Sequence, residues 1–394
     1  MLEPLRAMAQ EVDQRWSKVA RVKEALPDIA AETWEMAAIS FDPEALIRAA
    51  IEEVQWAPQH QEHLRYGQPA LTVFCSRDLL VEVYLWEGAG GGIHDHPFTG
   101  IFCILEGIAL HDIYDFEPQI PLDDHMNLGL LKRQTLEVLR PGSLRRFGAP
   151  IPLIHRILHV KDPGASMVVR TREGRITPQY NRFSLGGLRE PTERTAQVSH
   201  IKAQLLRRLA QRNPDSAMNC LAEYLDSADP GSVYDALLKL CSTPLRDELW
   251  PFLESLSYPN LPSLRKSLTG FEVEIALYNE LQKAEKGLPK IIAACLSFAR
   301  SPEETLRILS EVTESKVPAI LVQDWLLEEI GLEATASTRV VVDAAWRAQS
   351  LSELYTLLAD RGYQNMETLE TKFAKIFELV HAIPMIGWYR GLGV

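Results

Sequence analysis

The spacing of apolar residues changes twice along the chain. In residues 1–60, apolar and charged positions alternate at helical spacing, and Asp42-Pro43 marks a helix start, because aspartate caps a helix N-terminus and proline suits its first position. From about residue 65 to 185, short runs rich in β-branched and aromatic residues are separated by Gly, Pro and Asp. Many short strands with regular turn signals are typical of a sandwich or a barrel.

The strand pattern stops near residue 193, and a helical pattern replaces it. Apolar residues then recur about every three to four positions, which predicts helices, and Pro302 and Pro318 stand at expected helix starts. We therefore predict an α+β multidomain protein with N-terminal helices over 1–60, a β-barrel over 61–190 and an all-α domain over 191–394. The runs that carry the strand pattern are 70–75, 79–86, 100–107, 134–140, 153–160 and 166–171.

Charge and cysteine usage narrow the classes of function. The 394 residues include 41 Lys and Arg against 53 Asp and Glu, a net charge of −12. Such an acidic chain repels nucleic-acid phosphates and anionic membranes, so we expect neither as a partner. The five cysteines are scattered, without CxxC spacing, which is typical of buried free thiols rather than of a disulfide framework. With no secretory signal or membrane-spanning run in the sequence, we expect a cytoplasmic protein.

Three histidines of the β region carry the chemical signal. His94 and His96 follow a glycine-rich run and stand two residues apart, so a strand would present both imidazoles on one face. His155 lies on a later apolar run, behind the Pro141-Gly142 turn, and would complete a facial set of three. Neutral imidazole suits iron, zinc, copper and nickel, so the ligand type leaves the metal open. For the HxH pair taken alone, ordinary turn or core histidines are the alternative.

This ensemble resembles the cupin superfamily, and more narrowly its cysteine dioxygenase-like (thiol dioxygenase) group. The resemblance covers about residues 71–171: the pattern W-x-x-x-x-G-x-x-H-D-H ending at His96, then Leu-Glu-Gly at 105–107, then His155 before a hydrophobic run. It implies a cupin β-barrel (jelly roll) that holds Fe(2+), with Zn, Ni or Mn as alternatives, on His94, His96 and His155. The glutamate ligand of ordinary cupins would fall on Gly100, so the resemblance implies no carboxylate ligand.

The sequence departs from this group at the substrate-binding residues. The run 70–75 lacks the arginine of the family, and Ser166 is followed by Val168 and Arg170 where the family has His and Tyr. We therefore do not expect cysteine itself to be the substrate. Strand parity places Arg170 on the face of Ser166, so Arg170 is a candidate to bind an anionic substrate group, with a surface arginine on an edge strand as the alternative. Tyr84 is a second candidate, either as a hydroxyl near the metal or as a packed strand tyrosine.

The other polar residues near the motif suggest supporting roles. We expect His159 to form hydrogen bonds rather than to bind the metal, and Asp95 to support a turn or a ligand. His111 and His125 stand in polar segments after the Leu-Glu-Gly run. Their predicted place is in solvated loops, with a second metal site formed with neighbouring aspartates as the alternative.

Together these features predict a non-heme Fe(II), O2-dependent oxygenase that acts on a small thiol or a related anionic metabolite. One alternative is a cupin isomerase or hydrolase that uses its metal without O2. Another is a non-catalytic sensor whose helical half binds a protein partner. The helical half itself carries no recognisable catalytic motif and is expected to serve packing, homodimer formation or partner docking.

Overall fold

The computed structural model describes residues 1–53, 59, 69–86, 92–148, 153–172, 181–191, 198–284, 286–363 and 366–391. Within these ranges, three helices come first, nine strands follow and eleven helices end the chain. The predicted α+β class is confirmed. The change from strand to helix falls between Pro191 and Val198, and the predicted domain boundaries stay predictions.

The helices lie in two groups, before and after the strands. The first group consists of α1 (Leu2–Lys18), α2 (Leu26–Ala37) and α3 (Pro43–Glu52). The second group consists of α4 (Val198–Arg212), α5 (Pro214–Ser227), α6 (Pro230–Leu240), α7 (Arg246–Ser255), α8 (Leu261–Lys283), α9 (Leu288–Phe298), α10 (Pro302–Thr313), α11 (Pro318–Glu329), α12 (Ala336–Arg347), α13 (Leu351–Asp360) and α14 (Met366–His381). None of these helices, within the described residues, is long and apolar enough to cross a bilayer.

The helix starts predicted from Asp42-Pro43, Pro302 and Pro318 are confirmed. The Asp42 side chain accepts a hydrogen bond from the backbone N–H of Ala45 at 3.0 Å, directly before α3. Helices α10 and α11 begin at Pro302 and Pro318. Proline suits this position because the first N–H groups of a helix have no partner within the helix.

The strands form one antiparallel sheet. They are β1 (Ala70–Cys75), β2 (Leu79–Trp86), β3 (Ile93–His94), β4 (Gly100–Pro121), β5 (Asn127–Leu139), β6 (Leu144–Phe147), β7 (Ile154–Thr171), β8 (Asn181–Phe183) and β9 (Leu188–Pro191). Strand β7 lies at the centre of the pairing, since it is hydrogen-bonded to β2, β3 and β4.

Strands β4 and β7 are longer than the sequence predicts. The Leu-Glu-Gly run does not end a strand. Strand β4 continues past Gly107 to Pro121 and has 22 residues in all. The predicted runs 153–160 and 166–171 are likewise one strand of 18 residues. The register between the two strands shifts around Glu106 and Ile108, and Gly107 has a φ of +80°. Glycine adopts this conformation without strain, so the residue that looked like a turn permits a bulge.

Helices pack against the sheet in three apolar cores, one of which joins Leu128 of β5 and Leu188 of β9 to α4–α8. Near the ends of β2 and β7, apolar residues such as Val83, Met167 and Val169 pack in one core with α1, α2 and α3. Near the start of β7, Leu158 and Val160 belong to a second core, to which α8 to α12 contribute. The inner face of the sheet has its own apolar cluster, formed by Phe98, Phe102, Ile104, Ala109, Leu139 and Phe147.

All five cysteines are free, as predicted. Cys103, Cys241 and Cys295 are buried. Cys220 is exposed and Cys75 is partly exposed, so the expectation that the thiols are buried is wrong for Cys220.

Candidate metal centre

The structure brings together the three histidines that the sequence analysis singled out. One nitrogen from each of His94, His96 and His155 lies within 4.8 Å of the other two. His94 is on β3, and its backbone is paired with His155 on β7. Strand β3 also pairs with β8 and ends at His94. The backbone N–H of Asp95 continues this second pairing by donating to the carbonyl of Asn181 on β8 at 3.1 Å. His96 is thereby held beside the strand although it lies beyond its end.

The spacing of two of these nitrogens suits a shared cation. Nε2 of His96 lies 2.8 Å from Nε2 of His155. Metal-bound imidazole nitrogens lie about 2.1 Å from the cation, so two of them at right angles are roughly 3 Å apart. Both atoms therefore point at a common position.

Burial keeps all three imidazoles in the form that binds metals. Burial lowers the pKa of His94, only partly opposed by the hydrogen bond to Gly92 and the charge of Asp95. For His96 and His155, burial and the neighbouring imidazoles hold the pKa well below the ordinary value of 6.5. Neutral imidazole is the metal ligand, so no proton has to be removed from these rings at neutral pH.

The surroundings of the site also fit a metal. Phe98 and Phe147 pack against the His96 ring, with ring centroids 4.7 and 5.4 Å away. Nδ1 of His96 is buried and has no hydrogen-bond partner among the described residues. Three imidazoles converging in an apolar setting have donors that suit iron, zinc or nickel. The residues present therefore fit the predicted cation.

No side chain fits at Gly100, the position at which the resemblance to cupins would put a carboxylate ligand. A Cβ atom at Gly100 would lie 1.9 Å from the carbonyl oxygen of Val169 on the neighbouring strand. The close approach of β4 and β7 therefore explains the glycine. Within the described residues, the group that could hold a metal consists of histidines alone.

Arg170 and Tyr84, the two candidate catalytic residues, meet at a buried carboxylate. Nε and Nη2 of Arg170 each lie 3.3 Å from Oε2 of Glu82, and the Tyr84 hydroxyl donates to the same oxygen at 2.9 Å. Arg170 is 3% exposed and its strand is paired on both sides. The alternative of a surface arginine on an edge strand is therefore wrong. Glu82 was missed, although a glutamate within the apolar run 79–86 is itself a signal.

The other predicted residues have different outcomes. Asp95 does support the chain, because its carboxylate accepts two hydrogen bonds from Asn181, each of 2.7 Å. His159 is buried and stacks on Trp86 with ring centroids 4.9 Å apart. It lies outside the histidine group that could hold a metal.

His111 and His125 lie in opposite environments in the structure. His125 is exposed in the turn between β4 and β5, as predicted. The prediction is wrong for His111, which is fully buried within β4. Its ring nitrogen Nε2 lies 2.8 Å from Nδ1 of His155. The continuation of β4 past Gly107 places it there, whereas the Leu-Glu-Gly run predicts that the strand ends at residue 107. Neither residue forms a second metal group within the described part of the chain.

Comparisons with known proteins leave the family open. No protein-family model and no curated protein matches the chain. Among solved structures, hydroquinone 1,2-dioxygenase from a Sphingomonas species, with 4-hydroxybenzoate bound, is similar at 16% identity and a TM-score of 0.21, over 28% of this chain and 70% of that chain. A sugar phosphate isomerase of the cupin superfamily from Silicibacter pomeroyi is similar at 20% identity and a TM-score of 0.20, over 29% and 62% of the two chains.

Oxalate oxidase in complex with glycolate is similar at 22% identity and a TM-score of 0.18, over 26% of this chain and 44% of that chain. This match and the isomerase match each span less than two thirds of the neighbour's own length. Likenesses this weak carry no argument about activity. What the site can do is therefore inferred from the geometry of its own residues.

Proposed function

We propose that this chain is a cupin-type, iron-dependent oxygenase that oxidises a small thiol or a related anionic metabolite with O2. His94, His96 and His155 would hold the ion. The observation that carries the proposal is the convergence of three imidazole nitrogens within 4.8 Å of one another, from two buried histidines and the half-buried His96, with no carboxylate among them.

The charge of the ligand set favours an anionic substrate. Three neutral ligands leave a divalent cation its full charge, which attracts a thiolate or carboxylate. When bound, ferrous iron would supply the redox chemistry that dioxygen activation needs, whereas zinc would act only as a Lewis acid. The rings of Phe98 and Phe147 lie against His96 and would give the bound substrate an apolar wall.

Arg170 is our candidate for orienting the anionic group of the substrate. Its guanidinium packs on the ring of Phe98, and the same ring lies against His96 with centroids 4.7 Å apart. The contacts with Glu82 and the packing of the guanidinium over Phe98, 4.5 Å from the ring centroid, hold it in one orientation. Tyr84 donates to Glu82 and supports this arrangement.

Metal analysis joined to an oxygen-electrode assay tests the proposed activity. We expect the purified protein to retain about one iron per chain and to consume O2 with small thiols that carry a carboxylate. The variant His96→Leu should lose both properties, while His125→Leu, a change in an exposed turn, should keep both. Stoichiometric zinc without O2 consumption would instead support the hydrolase or isomerase alternative, and absence of any bound metal would overturn the whole proposal.

The role of Arg170 is tested separately with Arg170→Met and Arg170→Lys. If the guanidinium binds the anionic group, KM for a carboxylate-bearing thiol should rise about 10-fold or more in Arg170→Met, because a charged hydrogen bond contributes roughly 1.5–3 kcal/mol. The lysine variant should recover part of that loss. An unchanged KM in a folded Arg170→Met protein removes Arg170 from the substrate site.

A further inference from the structure

A second histidine stands directly behind the candidate ligand His155. Nε2 of His111 lies 2.8 Å from Nδ1 of His155, and Nδ1 of His111 lies 2.8 Å from Oε1 of Glu137. Arg145 donates to both oxygens of Glu137, through Nε to Oε1 at 2.7 Å and through Nη2 to Oε2. A continuous chain of hydrogen bonds therefore leads from an arginine, through a carboxylate and two imidazoles, to the metal position.

Three neighbouring strands place these side chains in a row. His155 is on β7 and His111 on β4, which pair with each other, and Glu137 on β5 is the direct cross-strand partner of His111. The bulge at Gly107 turns His111 toward the inner face. Phe102 lies edge-on to the His111 ring, with centroids 5.2 Å apart, and restricts its rotation.

The carboxylate at the far end determines where the protons lie. Burial alone would raise the pKa of Glu137, but the hydrogen bonds from His111 and Arg145 outweigh it and lower the pKa to about 2. Ionised Glu137 can only accept, so Nδ1 of His111 must carry a proton. In neutral His111, Nε2 is then an acceptor, and Nδ1–H of His155 donates to it. The remaining nitrogen of His155, Nε2, is left bare and faces Nε2 of His96 at 2.8 Å.

We propose that His111 and Glu137 are positioning residues of the metal centre. They hold His155 in the tautomer whose Nε2 lone pair faces the other ligands. They also make that nitrogen a stronger donor, because Glu137 polarises His111, and His111 in turn accepts the Nδ1–H of His155. This inference rests on the proposed metal-dependent function. The three candidate ligands thus differ in what contacts their Nδ1 atoms. Nδ1 of His155 contacts His111, Nδ1 of His94 contacts the carbonyl of Gly92 at 2.9 Å, and Nδ1 of His96 has no partner among the described residues.

Cobalt binding measures the effect. Co2+ is titrated against a chelator, and its visible absorption reports the ligand set. We expect His111→Phe to weaken Co2+ binding about 10–100-fold, as loss of such a hydrogen-bond partner typically does, and to alter the spectrum. His111→Gln should restore most of the affinity, because its amide oxygen can accept from Nδ1 of His155. Glu137→Gln should lie between them. The matched control is Glu117→Gln, which removes an exposed carboxylate paired with Lys132 and should bind Co2+ like the wild type.

Nitrogen NMR of the metal-free protein gives a readout that needs no metal. With 15N-labelled histidine, the His155 ring should carry its proton on Nδ1 in the wild type and in His111→Gln, and should lose this preference in His111→Phe. Should His111→Phe fail to fold, Glu137→Gln and His111→Gln still report the tautomer. A wild-type His155 protonated on Nε2, or wild-type Co2+ affinity in folded His111→Phe, overturns the inference.

The same experiment separates this inference from the proposed function. If His96→Leu abolishes Co2+ binding while His111→Phe leaves it unchanged, the metal site stands and the positioning role falls. If the wild type binds no Co2+, or His96→Leu binds it equally well, the proposed function fails first.

Discussion

Two faces of one strand pair bury polar groups in opposite ways. Residues 111–114 of β4 run beside residues 154–157 of β7. His111 and His155 point to the inner face, whereas Asp112 and Arg156, the next residue in each strand, point outward to the helical half. His111 on one face and Asp112 on the other are both fully buried, so burial alone does not distinguish a binding site from a structural contact.

On the outer face, buried charges meet opposite charges. Asp112 accepts hydrogen bonds from the Tyr114 hydroxyl at 2.8 Å and from Nη2 of Arg156 at 2.5 Å. Arg156 lies over the ring of Phe298 on α9, 3.6 Å from its centroid, and Arg133 on β5 donates to Glu304 on α10 at 2.6 Å. Paired in this way, the charges attach the helical half to the sheet.

On the inner face, the imidazoles converge on one point. The pair of Nε2 atoms of His96 and His155 is separated by 2.8 Å, and neither atom faces an opposite charge among the described residues. Two imidazole nitrogens at this separation can both bind one cation, because each points its lone pair at the same position. Convergence of donors, rather than burial, therefore distinguishes the face that holds the candidate metal site.

The largest loss of stability that we expect comes from breaking the contact between Asp112 and Arg156 on the outer face. Asp112→Ala leaves Arg156 buried without its carboxylate, so the free energy of unfolding should fall by about 3–5 kcal/mol, measured by urea denaturation. Asp324→Ala is the control, because its pair with Arg339 is partly exposed and such pairs contribute less than about 1 kcal/mol.

A matched change on the inner face sharpens the contrast. His96→Leu should alter the free energy of unfolding of the metal-free protein by less than about 1 kcal/mol, since it replaces a ring with an unsatisfied nitrogen by an apolar side chain. A loss as large as that of Asp112→Ala would erase the distinction between the two faces.

An effect that depends on pH, and is smaller than that of Asp112→Ala, should come from Glu274 on α8. Burial raises its pKa to about 7 from 4.5, although the backbone N–H of Leu185 donates to it and Arg156 is near. The unfolded chain therefore releases this proton first, and the protein should lose stability as the pH rises from about 4.5 through 7. Each pKa unit corresponds to about 1.4 kcal/mol, so the loss should be about 1–3 kcal/mol.

Glu274→Gln should remove most of this decline, measured as urea midpoints at pH 5 and pH 8, and Glu117→Gln serves as the exposed control. If the wild type is equally stable at both pH values, Glu274 is ionised at both. The prediction that the folded protein keeps this carboxyl protonated near Leu185 is then wrong.

Much of the fold could be predicted because its signals are local. Helix starts at Pro43, Pro302 and Pro318 follow from capping and proline geometry within one turn, and the run 79–86 is a strand as its composition indicates. The lengths of β4 and β7 could not be predicted, because Gly107 and Pro163-Gly164 are typical turn residues. Only pairing with a neighbouring strand allows a bulge there instead of an end.

The sequence by itself determined which residues could bind a metal: an HxH pair behind a glycine-rich run, and one later histidine on an apolar strand. Tertiary structure alone decided that His155 would face His96, that His111 would stand behind it and that Glu137 would complete the row. The physical reason is that side-chain alternation along a strand is a local rule, which one bulge reverses. Cross-strand neighbours, by contrast, are set by a register between residues far apart in the chain.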